Sequence, residues 1–188
     1  ELVVDLQAET DAATPINLTN HNYWNLGGVG SGTIHNHLLK VEADKSLDVD
    51  EDLIPTGKLN DVHGTPLDFK TFYKIGDRIE QNNLEPNGYD HCFALRRQNG
   101  KMALAATVKE PKSGRMMKIY TDQIGLQFYS GNFLTGDEGS GGNDYQTLFC
   151  LETQHYPNSP NIKSFPTTIL EPGQKYHHVT IHEFSVED

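Results

Sequence analysis

Alternation of apolar and polar side chains predicts that most of this chain forms β-strands. Val4, Leu6 and Ala8 alternate with polar residues near the start of the sequence. This period of two places the apolar side chains on one face of a strand. The segments with the same alternation, or with the continuous apolar run of a buried strand, are 39–43, 92–95, 102–108, 115–121, 124–129, 148–151 and 176–186. No segment has the amphipathic pattern of a long helix, and only residues 72–82 are compatible with a short one.

Turn signals between these segments predict how the strands are joined. They are Asn99-Gly100, Pro111-Lys112-Ser113-Gly114 and Glu171-Pro172-Gly173-Gln174. Consecutive strands joined by short turns favour an antiparallel arrangement. We therefore expect one mostly β domain, an antiparallel β-sandwich over residues 1–188. Because the chain opens directly on an alternating strand, we also expect a further segment upstream that pairs with it.

Net charge excludes whole classes of partner. The chain has 26 acidic and 15 basic residues, which gives a formal charge of -11. A protein that binds nucleic acid needs basic side chains to neutralise phosphates, so nucleic acid is not an expected partner. No apolar run is long enough to span a membrane, and the N-terminus lacks the basic start and apolar block of a signal peptide. A neutral ligand such as a sugar is compatible with this charge, and we predict a cytoplasmic protein that does not bind membranes.

Neither the cysteines nor the histidines have the spacing of a metal site. Cys92 and Cys150 lie in apolar strand-like runs, and we predict buried thiols in a reducing compartment. The nine histidines include no His-Glu-x-x-His motif. His178 and His182 share one strand face, but at the rise of an extended strand they would lie about 13 Å apart, too far to bind one ion. We therefore predict no metal and no cofactor.

The first segment with candidate chemistry is a polar and aromatic stretch over residues 17–28. It contains His21 among several asparagines, together with Tyr23 and Trp24. Both faces of a strand would be polar here, so the stretch is not expected to be a simple strand. Amides bind hydroxyl groups and aromatic rings stack on the C–H face of a sugar. His21 is either a proton-transfer group, because imidazole titrates near neutral pH, or a structural hydrogen-bonding residue.

Two carboxylates lie in the other candidate motifs. Asp90 precedes a strand, and it is either an acceptor for ligand hydroxyls or the cap of a turn with His91 exposed beside it. Glu152 follows four apolar residues, so burial at the end of a strand would raise its pKa toward that of a general base. The alternative is that Glu152 lies on the outward face of an edge strand.

In their order along the chain, these motifs resemble the aldose 1-epimerase family. The matching segments are Asn20-His21-Asn22-Tyr23-Trp24-Asn25-Leu26, Asp48–Gly57, Gly88-Tyr89-Asp90-His91, Gly125–Phe133 and Leu151-Glu152-Thr153-Gln154. The resemblance implies a β-sandwich like that of galactose mutarotase. It also implies that His21 is the catalytic acid and Glu152 the catalytic base, with no metal or cofactor. The substrate-binding residues that it implies are Asp90, Gln127, Tyr23 and Asn20.

The resemblance further implies a reaction on free aldohexoses such as galactose or glucose. Glu152 would take the proton of the anomeric hydroxyl while His21 protonates the ring oxygen. Ring opening, rotation and closure then interconvert the α and β anomers. Members of the family carry an N-terminal part with an arginine and a second histidine at the sugar site, and this chain resembles the C-terminal half. The N-terminal half of the same protein is therefore an expected partner.

Two other functions stay open at this point. An epimerase of hexose 6-phosphates would need a basic cluster for the phosphate, and the only adjacent basic residues are Arg96 and Arg97. A non-catalytic sugar-binding module would keep Asp90 and the aromatic residues, but it would not need both His21 and Glu152. The joint presence of His21 and Glu152 favours the enzyme.

Overall fold

The computed structural model describes residues 1–82, 84–96 and 100–187. Within them the chain forms thirteen strands and three short 3₁₀ segments. The strands are β1 (Leu2–Ala8), β2 (Thr14–Pro15), β3 (Leu38–Val41), β4 (Ala43–Val49), β5 (Pro55–Asp61), β6 (Tyr73–Lys74), β7 (Asp90–Leu95), β8 (Ala103–Lys109), β9 (Arg115–Thr121), β10 (Gly125–Tyr129), β11 (Cys150–Gln154), β12 (Ile169–Leu170) and β13 (Tyr176–Val186). The 3₁₀ segments are Ile34–Asn36, Ile75–Gln81 and Ser159–Asn161. None of the helical segments described is long and apolar enough to cross a membrane.

The strands form two main sheets and one two-stranded ladder. The larger sheet has the strand order β1-β13-β9-β8-β3-β6, and the second has the order β11-β10-β7-β4-β5. The small ladder pairs β12 with β2. Neighbouring strands in all three are antiparallel over the described residues. The mostly β, antiparallel fold predicted from the sequence is confirmed.

The hydrophobic core lies between the two main sheets. Met117 and Ile119 on β9 of the larger sheet are fully buried, and so are Leu126 and Phe128 on β10 of the second. All four belong to one cluster of buried side chains. The ring of Phe128 also stacks on that of Tyr89, with 4.9 Å between centroids. A core that both sheets share makes this architecture a sandwich, as predicted.

One expected strand is two strands in different sheets. In segment 39–43, β3 ends at Val41 and β4 begins at Ala43 in the second sheet. Glu42 lies at the crossing, where its N–H donates to β8 in the larger sheet and its carbonyl accepts from Arg96 beyond β7. The alternation continues through the break because both sheets face the same core.

The sequence did not predict β5, whose residues are largely exposed and so carry no apolar alternation.

The remaining local predictions concern one short helix and three turns. Residues 72–82 contain the 3₁₀ segment Ile75–Gln81, so the short helix is present in a tighter form. The turns at 111–114 and 171–174 connect β8 to β9 and β12 to β13. Asn99, in the third predicted turn, lies outside the described residues.

Candidate active site

Three neighbouring strands bring three polar side chains of the predicted site into one row. Asp90 begins β7, Gln127 lies on β10 and Glu152 lies on β11, with β10 between the other two strands. Gln127 is directly opposite Glu152 in the register of β10 and β11. On its other side, Gln127 Nε2 donates to Asp90 Oδ1 at 2.7 Å. Leu126 and Phe128 occupy the core side of β10, so alternation turns this row away from the core.

Gly88 accounts for the position of Asp90. Its φ is +150°, and a Cβ at this position would overlap the side chain of Asn132. Asn132 Nδ2 donates to the Tyr89 carbonyl at 2.9 Å, and the Tyr89 N–H donates to Ser130 Oγ at 2.8 Å. These contacts fasten the segment before β7 to the end of β10. A larger residue than glycine would displace them, and Asp90 with them.

His21 reaches the row from a loop that runs along β11. Asn17 ties this loop to the strand end, because its Nδ2 donates to the His155 carbonyl at 3.0 Å and its Oδ1 accepts from the His155 N–H at 2.9 Å. Further along, Trp24 makes an isolated antiparallel bridge with Phe149. The expectation that this polar stretch is not a simple strand is confirmed.

The two residues predicted to be catalytic are neighbours. His21 Nε2 lies 3.4 Å from Glu152 Oε1. Half of the His21 side chain is exposed, against 9% of the Glu152 side chain. Glu152 does face away from the core on the last strand of its sheet, yet it is buried because the loop that carries His21 lies over it. Glu152 therefore lies on the outward face of an edge strand, as the alternative had it, but its side chain is buried there.

Burial sets the protonation behaviour of both carboxyl groups. It raises the pKa of Glu152 above its usual value, while nearby His21 lowers that pKa and the charge of Asp90 raises it. Burial also raises the pKa of Asp90, and the hydrogen bond from Gln127 lowers it. Two carboxyl groups of raised pKa beside a histidine are features of a site that transfers protons.

His91 is not the exposed residue that the alternative interpretation of its motif required. Its side chain is half-buried, and burial lowers its pKa to about 4. Its Nδ1 accepts a hydrogen bond from the backbone N–H of Asp90 at 3.1 Å. The neutral ring of His91 thus helps to hold the backbone of Asp90, and the carboxylate of Asp90 faces the site.

Aromatic rings surround His21. Its ring centroid lies 5.0 Å from that of Tyr23 and 6.3 Å from that of Tyr129. Tyr129 in turn stacks on Phe133, and both Tyr23 and Phe133 are exposed. Tyr129 and Phe133 were not predicted as site residues. The only signal for them was their place in the motif around Gln127, since the alternation of β10 puts Tyr129 on the same face as Gln127.

Two acceptor atoms at the site lack a hydrogen-bond partner among the described residues. They are Asn20 Oδ1 and Gln127 Oε1, and both are buried. A buried acceptor without a partner costs about 1–3 kcal/mol. A ligand hydroxyl that donated to either oxygen would remove this cost, as expected for residues predicted to bind a sugar.

A thiol also belongs to the site. Cys92 and Cys150 are free and buried, as predicted. Cys150 Sγ lies 3.4 Å from His21 Nδ1. One ligand atom each from His21, Cys150 and Glu152 lie within 4.8 Å of one another, which is close enough for a metal ion. Sequence spacing missed this group because His21 comes from a distant loop, and a search for metal motifs tests only nearby positions.

The chain can be compared with known proteins. Residues 1–183 match the family model described as Aldose 1-epimerase. The chain is 45% identical over 189 residues to a galactose mutarotase of Sus scrofa. It is 37% identical over 191 residues to an aldose 1-epimerase of Escherichia coli strain K12. The chain therefore belongs to the aldose 1-epimerase family, as its motifs predicted.

These matches cover nearly all of this chain but only part of each relative. They include 99% of the chain and 54% of the Sus scrofa protein, and 98% of the chain and 55% of the E. coli protein. A solved aldose epimerase homologue from C. elegans and a galactose 1-epimerase from Lactobacillus acidophilus NCFM each superpose with a TM-score of 0.85 at 25% identity. The superpositions cover 99% of this chain and 56% and 53% of those chains. The chain thus spans about half the length of the relatives that it matches.

Proposed function

We propose that this protein is an aldose 1-epimerase, an isomerase that interconverts the α and β anomers of free aldohexoses such as galactose or glucose. The observation that carries the proposal is the 3.4 Å approach of His21 Nε2 to Glu152 Oε1 beside Asp90 and Gln127. An acid and a base this close together can act on the ring oxygen and on the hydroxyl oxygen, which are both bonded to the anomeric carbon. The relatives named galactose mutarotase and aldose 1-epimerase support the same activity.

The proposed reaction needs one base and one acid. Glu152 accepts the proton of the anomeric hydroxyl, and the new carbonyl forms as the bond between the anomeric carbon and the ring oxygen breaks. His21 gives a proton to that ring oxygen, so charge and protons balance in the open-chain aldehyde. The aldehyde group rotates about its bond to the second carbon. Closure then returns both protons and gives the other anomer.

The burial of each group suits its role. The raised pKa of Glu152 makes its carboxylate a stronger base than an exposed one. Closure of the ring returns the proton to His21, so its half-exposed side chain needs no proton from solvent between turnovers. We further propose that Asp90, Gln127 and Asn20 orient the sugar hydroxyls, and that Tyr23 packs against the C–H face of the ring. Holding the sugar in this way supplies the positioning part of the rate.

The structure offers less support for the two alternatives. A hexose 6-phosphate would need a free cationic cluster, but Arg96 is bound to Glu42 and Asp44 at 2.8–3.0 Å. Arg97 lies outside the described residues. A non-catalytic sugar-binding module has no use for an imidazole in contact with a buried carboxylate. We therefore favour the enzyme over both.

The activity that we propose belongs to the complete protein. Because this chain spans about half the length of its relatives, we propose that residues 1–188 are part of one mutarotase-like sandwich domain. An N-terminal half with further sugar-binding side chains would complete the pocket. A neutral sugar and the charge of -11 are consistent with a cytoplasmic enzyme that binds neither membranes nor nucleic acid.

Polarimetry of freshly dissolved α-galactose tests the proposed function. The complete protein should bring the rotation to equilibrium much faster than buffer does. The Glu152→Gln variant keeps the shape of the side chain but loses the base, so its rate should fall by about 10²–10⁴-fold. Glu138→Gln, at an exposed loop position, is the matched control and should keep the full rate. Equal rates for wild type and Glu152→Gln would refute the assignment of the base, and a wild-type rate equal to that of buffer would refute the function.

A further inference from the structure

A set of metal-ligating groups lies at the site, and the proposed reaction does not use all of them. Cys150 and Glu152 are two residues apart on β11, so their side chains leave the strand on the same face. His21 lies between them, with Nδ1 3.4 Å from Cys150 Sγ and Nε2 3.4 Å from Glu152 Oε1. The epimerase chemistry needs His21 and Glu152, but it assigns no role to the thiol.

These three groups match the preferences of zinc. Imidazole nitrogen, cysteine sulfur and carboxylate oxygen are its usual ligands, at distances of about 2.0–2.3 Å in tetrahedral sites. Ligand atoms around such an ion lie roughly 3.3–3.8 Å apart, as those bond lengths require. Here one ligand atom from each residue lies within 4.8 Å of the other two. The two 3.4 Å contacts use different imidazole nitrogens, so the side chains must rotate to bring the sulfur and the carboxylate to the same nitrogen. Three protein ligands leave a fourth position for water.

We propose that His21, Cys150 and Glu152 bind one Zn²⁺ ion, and that the bound ion blocks the proposed epimerase reaction. The blocking half of this proposal rests on the proposed function, whereas the binding half does not. The ion occupies the lone pair of an imidazole nitrogen and an oxygen of the carboxylate. Neither group can then exchange a proton with a sugar.

The surroundings of the three ligands favour a cation and set a condition on it. Asp90 adds negative charge close to Glu152. Zinc binds cysteine as the thiolate, so the ion must displace the proton of the Cys150 thiol. The balanced step is Cys–SH + Zn²⁺ → Cys–S–Zn⁺ + H⁺. Affinity for zinc should therefore increase as the pH is raised.

Spectroscopy with Co²⁺, which replaces zinc and absorbs light, tests the binding. The complete wild-type protein should bind one Co²⁺ per chain, with a thiolate-to-cobalt charge-transfer band and the visible bands of tetrahedral cobalt. Cys150→Ser should lose the charge-transfer band and bind Zn²⁺ at least about tenfold more weakly in calorimetry. Cys92→Ser, at the other buried cysteine, is the matched control and should keep both the band and the affinity. Equal bands and equal affinities in all three proteins would overturn the proposal.

His21→Gln serves if Cys150→Ser does not fold. It removes the imidazole ligand, so it should bind Zn²⁺ at least about tenfold more weakly than the wild-type protein in calorimetry. Equal affinities of these two proteins would overturn the proposal. Epimerase assays separate the two halves: an active protein that binds Zn²⁺ but keeps its full rate contradicts the blocking. A protein with no activity that still gives the cobalt band contradicts the proposed function and supports ion binding.

Discussion

At the scale of single residues, Glu152 is the group whose environment matters most. It is 7% exposed, it contacts a half-exposed imidazole, and Asp90 places a second carboxylate nearby. Burial penalises its charged form, so the folded protein holds its pKa above the usual 4.5. Because its pKa is raised in the folded state, protonated Glu152 is compatible with the fold and ionised Glu152 destabilises it. The free energy of unfolding therefore has its full contribution from this group at low pH, and it declines as the pH rises through the folded pKa. The fold thus gives up some stability to hold a reactive carboxylate.

This environment predicts the acid side of the pH profile. Glu152 must be ionised to act as a base, so kcat/KM should fall as the pH drops through a value above 4.5. In Asp90→Asn the charge that raises the pKa of Glu152 is gone, and the acid limb should move to lower pH. KM should rise in the same variant because a sugar contact is lost. Asp11→Asn, at an exposed position, is the control. If the acid limb of kcat/KM lies at the wild-type pH in both variants, Asp90 does not influence the pKa of Glu152.

At the scale of elements, the loop that carries His21 depends on a few hydrogen bonds to β11. Asn17 makes two of them with the backbone of His155, and Thr19 Oγ1 donates to the Thr153 carbonyl at 3.0 Å. Each is worth about 1 kcal/mol. They hold a segment without regular structure against a strand, and they fix the distance between the imidazole and the carboxylate.

Loss of these bonds should affect the reaction more than the fold. In Asn17→Ala both bonds to His155 are lost, and His21 is held less firmly over Glu152. We expect kcat to fall several-fold with little change in Tm, measured by polarimetry and by thermal unfolding. Asn161→Ala, which removes a hydrogen bond to Asn158 in another loop, should leave kcat unchanged. An unchanged kcat for Asn17→Ala would contradict the role given to this loop.

The elements also mark what could be predicted from sequence. Strands with an apolar face toward the core, such as β9, follow the alternation directly. The break at Glu42 was missed because the pattern continues from one sheet to the other. The motifs located His21, Asp90 and Glu152, but the contact of Cys150 with His21 depends on how the loop lies on β11. Such a contact is a property of tertiary packing, and no local pattern encodes it.

At the scale of the whole molecule, one core supports both sheets and the back of the site. Phe128 is fully buried on β10, and its ring packs against Tyr89 and Phe69. Its neighbour Gln127 points to the opposite side and belongs to the row of polar side chains. The same strand therefore carries core packing on one face and candidate chemistry on the other.

A cavity in this core should lower stability strongly. Phe128→Ala should reduce the free energy of unfolding by about 3–5 kcal/mol, measured by chemical denaturation. Phe72→Ala, at a side chain that is 39% exposed, is the matched control and should cost about 1 kcal/mol or less. Similar losses for the two variants would contradict the placement of the core between the sheets.

The central claim is that His21 and Glu152 act as one acid–base pair on the same sugar, and a double-mutant cycle in kcat/KM tests it most directly. The variants are His21→Gln, Glu152→Gln and the double variant, measured with galactose. Residues that act as a unit are not additive, so the double variant should be about as slow as the slower single variant. Losses that multiply, as for two independent sites, or a single variant that keeps the wild-type rate, would contradict the account.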